Sequence, residues 1–219
     1  RDAARVQVAD AMWALAQAAE AGSDSQFQFV QALASSAATP AQWETVRQLR
    51  AGEVELDGLE IDTDLSWQLL VALAAGGAVT AADIDEALAA DNTAKGGEFA
   101  AQAKAALPSV AAKQLAWDSL IASDEQPNTI VRATAAGFTH PATVAQQAEF
   151  VGAYFDMLLP IWDSRSYQIA QYLIVGLYPA PMANTVLRDA THAWLTENAD
   201  APAALRRLVN ENVATVERA

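Results

Sequence analysis

Apolar residues recur along this chain with the spacing of amphipathic helices. Met12, Leu15, Ala16 and Ala19 occupy positions i, i+3, i+4 and i+7, which places them on one face of a helix with 3.6 residues per turn. The spacing, or a close variant of it, returns within residues 65–73, 115–121 and 150–159. No comparable run alternates with the period of two that is typical of a half-buried strand. The pattern therefore predicts a chain built of helices.

Helix starts and stops are marked by capping residues. Thr39-Pro40-Ala41-Gln42 has the form of a capping box with proline at the first helical position, and Thr80 with Asp83 repeats it. Further candidate N-caps are Ser109, Asn128 and Asp163. The predicted helices are 2–21, 24–37, 40–51, 64–75, 81–91, 94–106, 110–123, 129–137, 142–162, 165–177, 184–197 and 202–217. The longest break is 53–61, where a short extended segment is possible.

Many short helices with short linkers predict an all-α fold. Each helix pair buries its apolar face against its neighbours, which is typical of a HEAT-like α-α superhelix of stacked antiparallel helix pairs. The sequence carries no tetratricopeptide or ankyrin signature. We expect a single helical-repeat domain over 1–219, and a compact orthogonal bundle is the structural alternative.

Composition narrows the classes of partner. The chain has 219 residues, is 53% hydrophobic and has a net charge of -14, so nucleic acid and anionic membrane surfaces are unsuitable partners. It contains no cysteine, which excludes disulfides and thiolate metal sites and suits the cytoplasm. No segment has the length and apolarity of a transmembrane helix or the pattern of a secretion signal. The chain begins at Arg1 without methionine, and we expect it to be part of a longer protein.

The residues that carry metal or nucleophilic chemistry are sparse. The chain has two histidines, His140 and His192, and no His-Glu-x-x-His motif. Asp189 lies three residues before His192, but one carboxylate and one imidazole are too few ligands for a closed metal site, so we interpret them as a surface pair. For Asp62 and Asp64 the interpretation is helix capping rather than cation binding. Gly96-Gly97 is interpreted as a helix start rather than a phosphate loop.

Several ordered segments resemble the C-terminal helical domain of bacterial aminopeptidase N, in the M1 zinc aminopeptidase family. They are Asp62-Thr63-Asp64-Leu65-Ser66-Trp67, Asp91-Asn92-Thr93-Ala94-Lys95-Gly96, Trp162-Asp163-Ser164-Arg165, Leu177-Tyr178-Pro179 and Ala204-Leu205-Arg206-Arg207. They correspond to the family's Asp-x-Asp-Leu-Arg-Trp, Asp-x-Thr-x-x-Gly, Trp-Glu-Ser-Arg and Leu-Tyr-Pro segments and to its closing helix. The chain departs from the family at Ser66, where arginine is usual.

The resemblance implies a non-catalytic domain that encloses the active-site cavity of a zinc-dependent aminopeptidase and influences peptide access. Zinc and its ligands would lie upstream, so this chain needs no cofactor of its own, and its partners would be the catalytic domain and peptide substrates. A free-standing α-solenoid scaffold that binds another protein is the alternative. An extended upstream sequence containing His-Glu-x-x-His would decide between them.

A candidate substrate surface is formed by Arg165, Tyr167 and Gln168. Arg165 is predicted in the first turn of a helix, where the macrodipole is positive and a cation needs a partner. That partner is structural, Asp163 or another acid, or functional, a peptide carboxylate or carbonyl in the cavity. Arginine suits the second role because its planar fork makes bidentate bonds.

Overall fold

A computed structural model describes residues 2–122 and 126–218, and every element within these ranges is helical. The α-helices are α1 Asp2–Ala18, α2 Asp24–Ser36, α3 Pro40–Ala51, α4 Thr63–Ala75, α5 Ala81–Ala90, α6 Ala94–Ala106, α7 Val110–Ala122, α8 Asn128–Phe138, α9 Val144–Gln147, α10 Val151–Ser164, α11 Tyr167–Gly176, α12 Thr185–Glu197 and α13 Ala203–Glu217. Short 3₁₀ turns occupy Pro141–Thr143, Ala148–Phe150 and Ala180–Met182. The all-α fold class is confirmed.

Several helix caps are formed by the residues whose patterns predicted them. Thr39 accepts a hydrogen bond from the Gln42 amide while Gln42 returns one to the cap backbone, and Thr80 forms the same box with Asp83. Asp62 accepts from the Leu65 amide at 2.7 Å, so the capping interpretation of this residue is confirmed. Residues 53–61 form turns and irregular backbone, with no strand in that described segment.

The chain divides into two compact units, Arg1–Ala103 and Lys104–Ala219. The predicted single domain over 1–219 stays a prediction. In the first unit α1 packs on α2, and α3 packs on α4. The core of this unit is aliphatic and is drawn mainly from α2, α3 and α4: Val30, Leu33, Val46, Leu49, Leu65, Leu69 and Leu73.

The segment Asp91–Gly96 joins α5 to α6 in the first unit through a hydrogen-bonded network. The indole Nε1 of Trp67 donates to Asp91 Oδ2 at 2.8 Å. The hydroxyl of Thr93 donates to Asp91 Oδ1 at 3.0 Å and accepts from the Gly96 amide at 3.0 Å. Asp91 therefore links the buried tryptophan of α4 to the first turn of α6.

In the second unit the core is richer in aromatic rings. α7, α8, α11 and α13 form a packed series, and α12 packs on α13. The Phe150 ring contacts Phe138 edge-on at 5.2 Å and Trp117 at 5.5 Å between centroids. Tyr154 is buried and donates to the Ile174 carbonyl at 2.8 Å. Trp67, Trp117 and Trp194 are buried in their respective units.

Three local predictions in the second unit are wrong. Asn128 is the first residue of α8 rather than its N-cap, which is Pro127 and makes no side-chain hydrogen bond. Residues 142–162 do not form one helix, because the chain alternates between 3₁₀ and α turns from Pro141 to Phe150 before α10 begins. This irregular path places Phe150 against Phe138 and Trp117. Asp163 also caps nothing, since α10 continues through it and Ser166 caps α11 instead.

Candidate functional site

The predicted substrate residues lie at the junction of α10 and α11. α10 ends at Ser164, whose hydroxyl donates to the Pro160 carbonyl at 2.7 Å. The backbone of Arg165 is extended, with φ -106° and ψ 158°. Ser166 then accepts from the Ile169 amide at 3.4 Å, and α11 begins at Tyr167. The junction is therefore a sharp turn with a cap on both helix ends, and it fixes the position of Tyr167 at the start of α11.

The prediction that Arg165 lies in the first turn of a helix is wrong, because this residue caps the C-terminus of α10. Its side chain is half-buried, and its guanidinium donates to the Ile121 carbonyl at 2.8 Å. Ile121 lies in the last turn of α7, where the helix dipole is negative and a cation is stabilised. The repulsion expected between the Arg165 cation and the positive end of a helix dipole is therefore absent.

Tyr167 is 49% exposed and sits between an aromatic ring and a cation. Its ring meets Trp162 edge-to-face, with 5.7 Å between centroids and 84° between planes. Its hydroxyl accepts from the Arg207 guanidinium at 3.2 Å. Arg207 lies on α13 and also pairs with Glu211 at 2.7 Å. The carboxylate of Glu211, and then the Tyr167 hydroxyl, raise the pKa of Arg207, which stays charged at any physiological pH.

We call Trp162, Tyr167, Gln168, Arg207 and Glu211 the α11 patch. Tyr167, Gln168, Arg207 and Glu211 are exposed, and Trp162 is partly exposed. The patch combines aromatic surface, a phenol, a carboxamide and a guanidinium, which are groups that recognise peptide carbonyls and carboxylates. Arg165 lies beside it in sequence but points its guanidinium to α7.

Arg207 is a member of the α11 patch that the sequence did not single out as a candidate site residue. It is 40 positions from Tyr167, and its own segment indicated only the closing helix of the family. Its place on the exposed side of α13, opposite the buried Leu205, Leu208 and Val209, is readable from the 3.6-residue period. Its partner on α11 is not, because that depends on how the two helices pack.

The histidines are engaged in local structure. His140 Nδ1 accepts from the Ala142 amide at 3.2 Å. His192 Nε2 lies 2.9 Å from Glu217 Oε1, and Asp189 instead pairs with Arg188. The surface location of Asp189 and His192 was correctly interpreted, but they are not partners of each other. Over residues 2–122 and 126–218 no three His, Cys, Asp or Glu side chains gather as a possible metal site.

Comparison with known proteins agrees with the motif resemblance. The family described as ERAP1-like C-terminal domain matches residues 1–218. Aminopeptidase N from Streptomyces lividans is 40% identical over 219 residues, which are 100% of this chain and 25% of that protein. The chain thus spans about a quarter of the length of this curated relative. Among the helices described, none has the length and apolarity needed to cross a membrane.

Proposed function

Because the chain belongs to the ERAP1-like C-terminal domain family, we propose that it is the non-catalytic C-terminal domain of a zinc-dependent aminopeptidase. The observation that carries the proposal is the family match over residues 1–218, supported by the 40% identity to an aminopeptidase N. The parent enzyme would remove N-terminal residues from peptides. It would work in the cytoplasm, which suits a chain without cysteine.

The zinc of the parent enzyme would be bound upstream of this chain. A catalytic zinc takes about three protein ligands, usually histidines with a carboxylate. The donor set here does not fit, since the chain's two histidines, His140 and His192, face a helix-capping amide and Glu217 respectively. Zinc supplies carbonyl polarisation and an activated water in such enzymes. This chain would contribute by enclosing the cavity and limiting which peptides enter it.

Within this role we propose that the α11 patch contacts peptide substrates. Tyr167 and Gln168 present a phenol and a carboxamide to the exterior from the first turn of α11. Arg207 adds a cation that is already oriented by Tyr167. Arg165 would act on the surface as a positioning residue, because its bond to Ile121 anchors the turn from which Tyr167 emerges. Residues of this kind raise affinity for long substrates without touching the scissile bond.

Substitutions in the parent enzyme test the patch. For Tyr167→Ala combined with Gln168→Ala, we expect kcat/KM on peptides of several residues to fall about five- to tenfold, mainly through KM. A single-residue chromogenic substrate should be hydrolysed at the normal rate, because it is too short to reach the patch. Arg165→Ala should lower the melting temperature and weaken peptide hydrolysis together.

Arg188→Ala is the matched control, since Arg188 is exposed on α12 and pairs with its neighbour Asp189. It should leave the hydrolysis rates of both substrates and the melting temperature unchanged. If the double substitution changed the hydrolysis rate of neither substrate, the α11 patch would have no role in the access of peptides to the cavity. A lower melting temperature for Arg165→Ala with normal peptide kinetics would leave that residue a purely structural one.

The isolated chain is expected to fold without binding stoichiometric zinc and without cleaving peptides. Each unit has its own hydrophobic core, mainly aliphatic in the first and rich in aromatic rings in the second, and these cores support folding. The contacts of His140 and His192 do not suit a catalytic zinc. Metal analysis of the purified chain, together with an aminoacyl chromogenic assay, checks both parts. One zinc per chain with turnover abolished by chelation would move the chain into the enzyme class and refute the proposal.

A further inference from the structure

The outward face of α1 is apolar, which is unusual for a helix at the surface of its unit. Between residues 3 and 18, ten residues are exposed, and seven of these are alanine, valine or leucine. Five of them follow one another at spacings of four and three: Ala4, Val8, Ala11, Leu15 and Ala18. Val8 is 47% exposed and Leu15 is 43% exposed. We call these five residues the α1 stripe.

The charged and packed residues of α1 lie away from this stripe. Ala9 and Ala16 are fully buried against the core of the first unit. The Arg5 guanidinium donates to the Ala37 carbonyl at 3.0 Å, and Asp10 accepts from Gln42 at 2.7 Å. The two charged side chains described for α1, Arg5 and Asp10, therefore bond to groups of α3 and of the segment after α2. A helix that is apolar on two faces is typical of an interior position.

The last helix shows what a solvated face looks like in this protein. Of the six exposed residues on α13, five are polar: Arg207, Asn210, Glu211, Thr215 and Glu217. In helical-repeat proteins the terminal helices need such a polar outer face, whereas interior helices bury both sides. The outer face of α13 is polar and solvated, whereas α1 has the face of an interior helix.

We infer that the α1 stripe is the docking surface for the segment of the same polypeptide that immediately precedes Arg1. The inference rests on the proposed function in one respect, that this chain is part of a longer aminopeptidase; it covers 25% of its relative. A preceding helix joined by a short turn returns along the stripe, which is about 21 Å long at 1.5 Å per residue. The alternation of small Ala4, Ala11 and Ala18 with larger Val8 and Leu15 suits interlocking of an apolar helix face.

The tethered segment is favoured over a second copy of the chain. It emerges at one end of the stripe and so has a millimolar effective concentration there, without the loss of freedom of a bimolecular association. A second copy would also bring a net charge of -14 towards an equal charge. The required occupant is therefore an amphipathic helix of the parent chain, with its apolar face on Val8 and Leu15.

Cysteine labelling tests this directly, because the chain has no cysteine of its own. Val8→Cys and Leu15→Cys are each made in three proteins: the 219-residue chain, an upstream-extended chain, and the parent enzyme with its native cysteines replaced. The extension is about 40 residues, which is the size of one helical repeat. Gln17→Cys, exposed on the other side of α1, is the matched control. The reaction rate with a maleimide is measured for each at several protein concentrations.

We expect the stripe cysteines to react at least about tenfold more slowly in the extended chain and in the parent than in the 219-residue chain, since burial limits reaction to transient opening. Gln17→Cys should react equally in all three forms. Equal stripe rates in all forms would overturn the inference, and so would protection that appears only in the parent. Slow, concentration-dependent labelling of the 219-residue chain would assign the stripe to a second copy. Each of these outcomes leaves the peptide-kinetics test of the proposed function unaffected.

Discussion

Replacing Gly96 by alanine is expected to lower the free energy of unfolding by about 3 kcal/mol, because a side chain at this position collides with fixed atoms. A Cβ on Gly96 would lie 2.2 Å from the Asp91 carbonyl oxygen and 2.7 Å from Asp91 Oδ2. Asp91 is held in place by hydrogen bonds to its side chain and to its backbone. Its carboxylate is held by Trp67 and Thr93, and its carbonyl accepts from the Thr93 amide at 2.8 Å.

This collision explains the glycine at the end of the Asp91-Asn92-Thr93-Ala94-Lys95-Gly96 segment. Thr93 caps the start of α6 by accepting from the Gly96 amide, and Asp91 holds the Thr93 hydroxyl in place. The glycine lets α6 begin this close to Asp91. Urea unfolding should show a lower midpoint for Gly96→Ala with an unchanged slope. The indole of Trp67, stacked on Phe99 at 6.0 Å, reports the same change by fluorescence.

Gly97→Ala is a matched control one residue later in the same helix. A Cβ there meets no atom within 4 Å. Alanine is the better helix former, so this substitution should raise the free energy of unfolding by about 0.5–1 kcal/mol. Similar destabilisation by both substitutions would show that the start of α6 is intolerant of any side chain, and the role assigned to Asp91 would then be wrong.

The second large effect concerns Lys113, whose side chain is fully buried in the second unit. Its Nζ donates to the Ala105 carbonyl at 2.6 Å and to the Gly137 carbonyl at 3.1 Å. These carbonyls lie in the last turns of α6 and α8, and the ring of Phe138 lies 5.6 Å from Nζ. Lys113 thus joins two helix C-termini from inside the core, because its ammonium group donates to one carbonyl at the end of each helix.

Burial lowers the pKa of Lys113 to about 7, because the charged ammonium is poorly solvated in the core. In the unfolded chain a lysine keeps its proton up to a pKa near 10.5. Between these two values the unfolded state binds more protons than the folded state, so the free energy of unfolding rises with pH. The contribution of Lys113 is therefore most unfavourable below pH 7 and disappears above about pH 10.5.

We expect the stability of the wild-type chain relative to Lys113→Met to increase by about 3 kcal/mol between pH 7 and pH 9.5. Methionine keeps the apolar stem of the side chain without a titrating group. The difference between variants is the informative quantity, since tyrosines and other lysines titrate equally in both. Urea unfolding at four pH values within this window measures it.

Lys95→Met controls for the loss of one positive charge. Lys95 is exposed and pairs with Glu98 at 3.1 Å, so its removal should change stability by less than about 1 kcal/mol at every pH. Parallel pH profiles for the wild type and Lys113→Met would mean that Lys113 stays charged in the folded chain. In that case the two helix C-termini would be stabilising an ammonium ion.

The sequence by itself determined the helices and most of their ends. Thr39, Thr80 and Asp62 cap helices whose amides lie three residues away, and Gly52 closes α3 with a left-handed φ of 69°. Such bonds are satisfied within one helical turn, so a pattern of neighbouring residues is sufficient to predict them. The ordered motifs also identified the family, which the match over residues 1–218 confirmed.

The tertiary structure alone decided which distant groups meet. The residues around Arg165 predict that it lies at a helix N-terminus, whereas its guanidinium binds the Ile121 carbonyl 44 positions away. Arg207 reaches Tyr167 across 40 positions, and Lys113 reaches the Gly137 carbonyl across 24. Long side chains take their partners from whichever helix end packs beside them. Because helix periodicity fixes which face is buried but not which helix covers it, neither these contacts nor the uncovered α1 stripe was readable from the sequence.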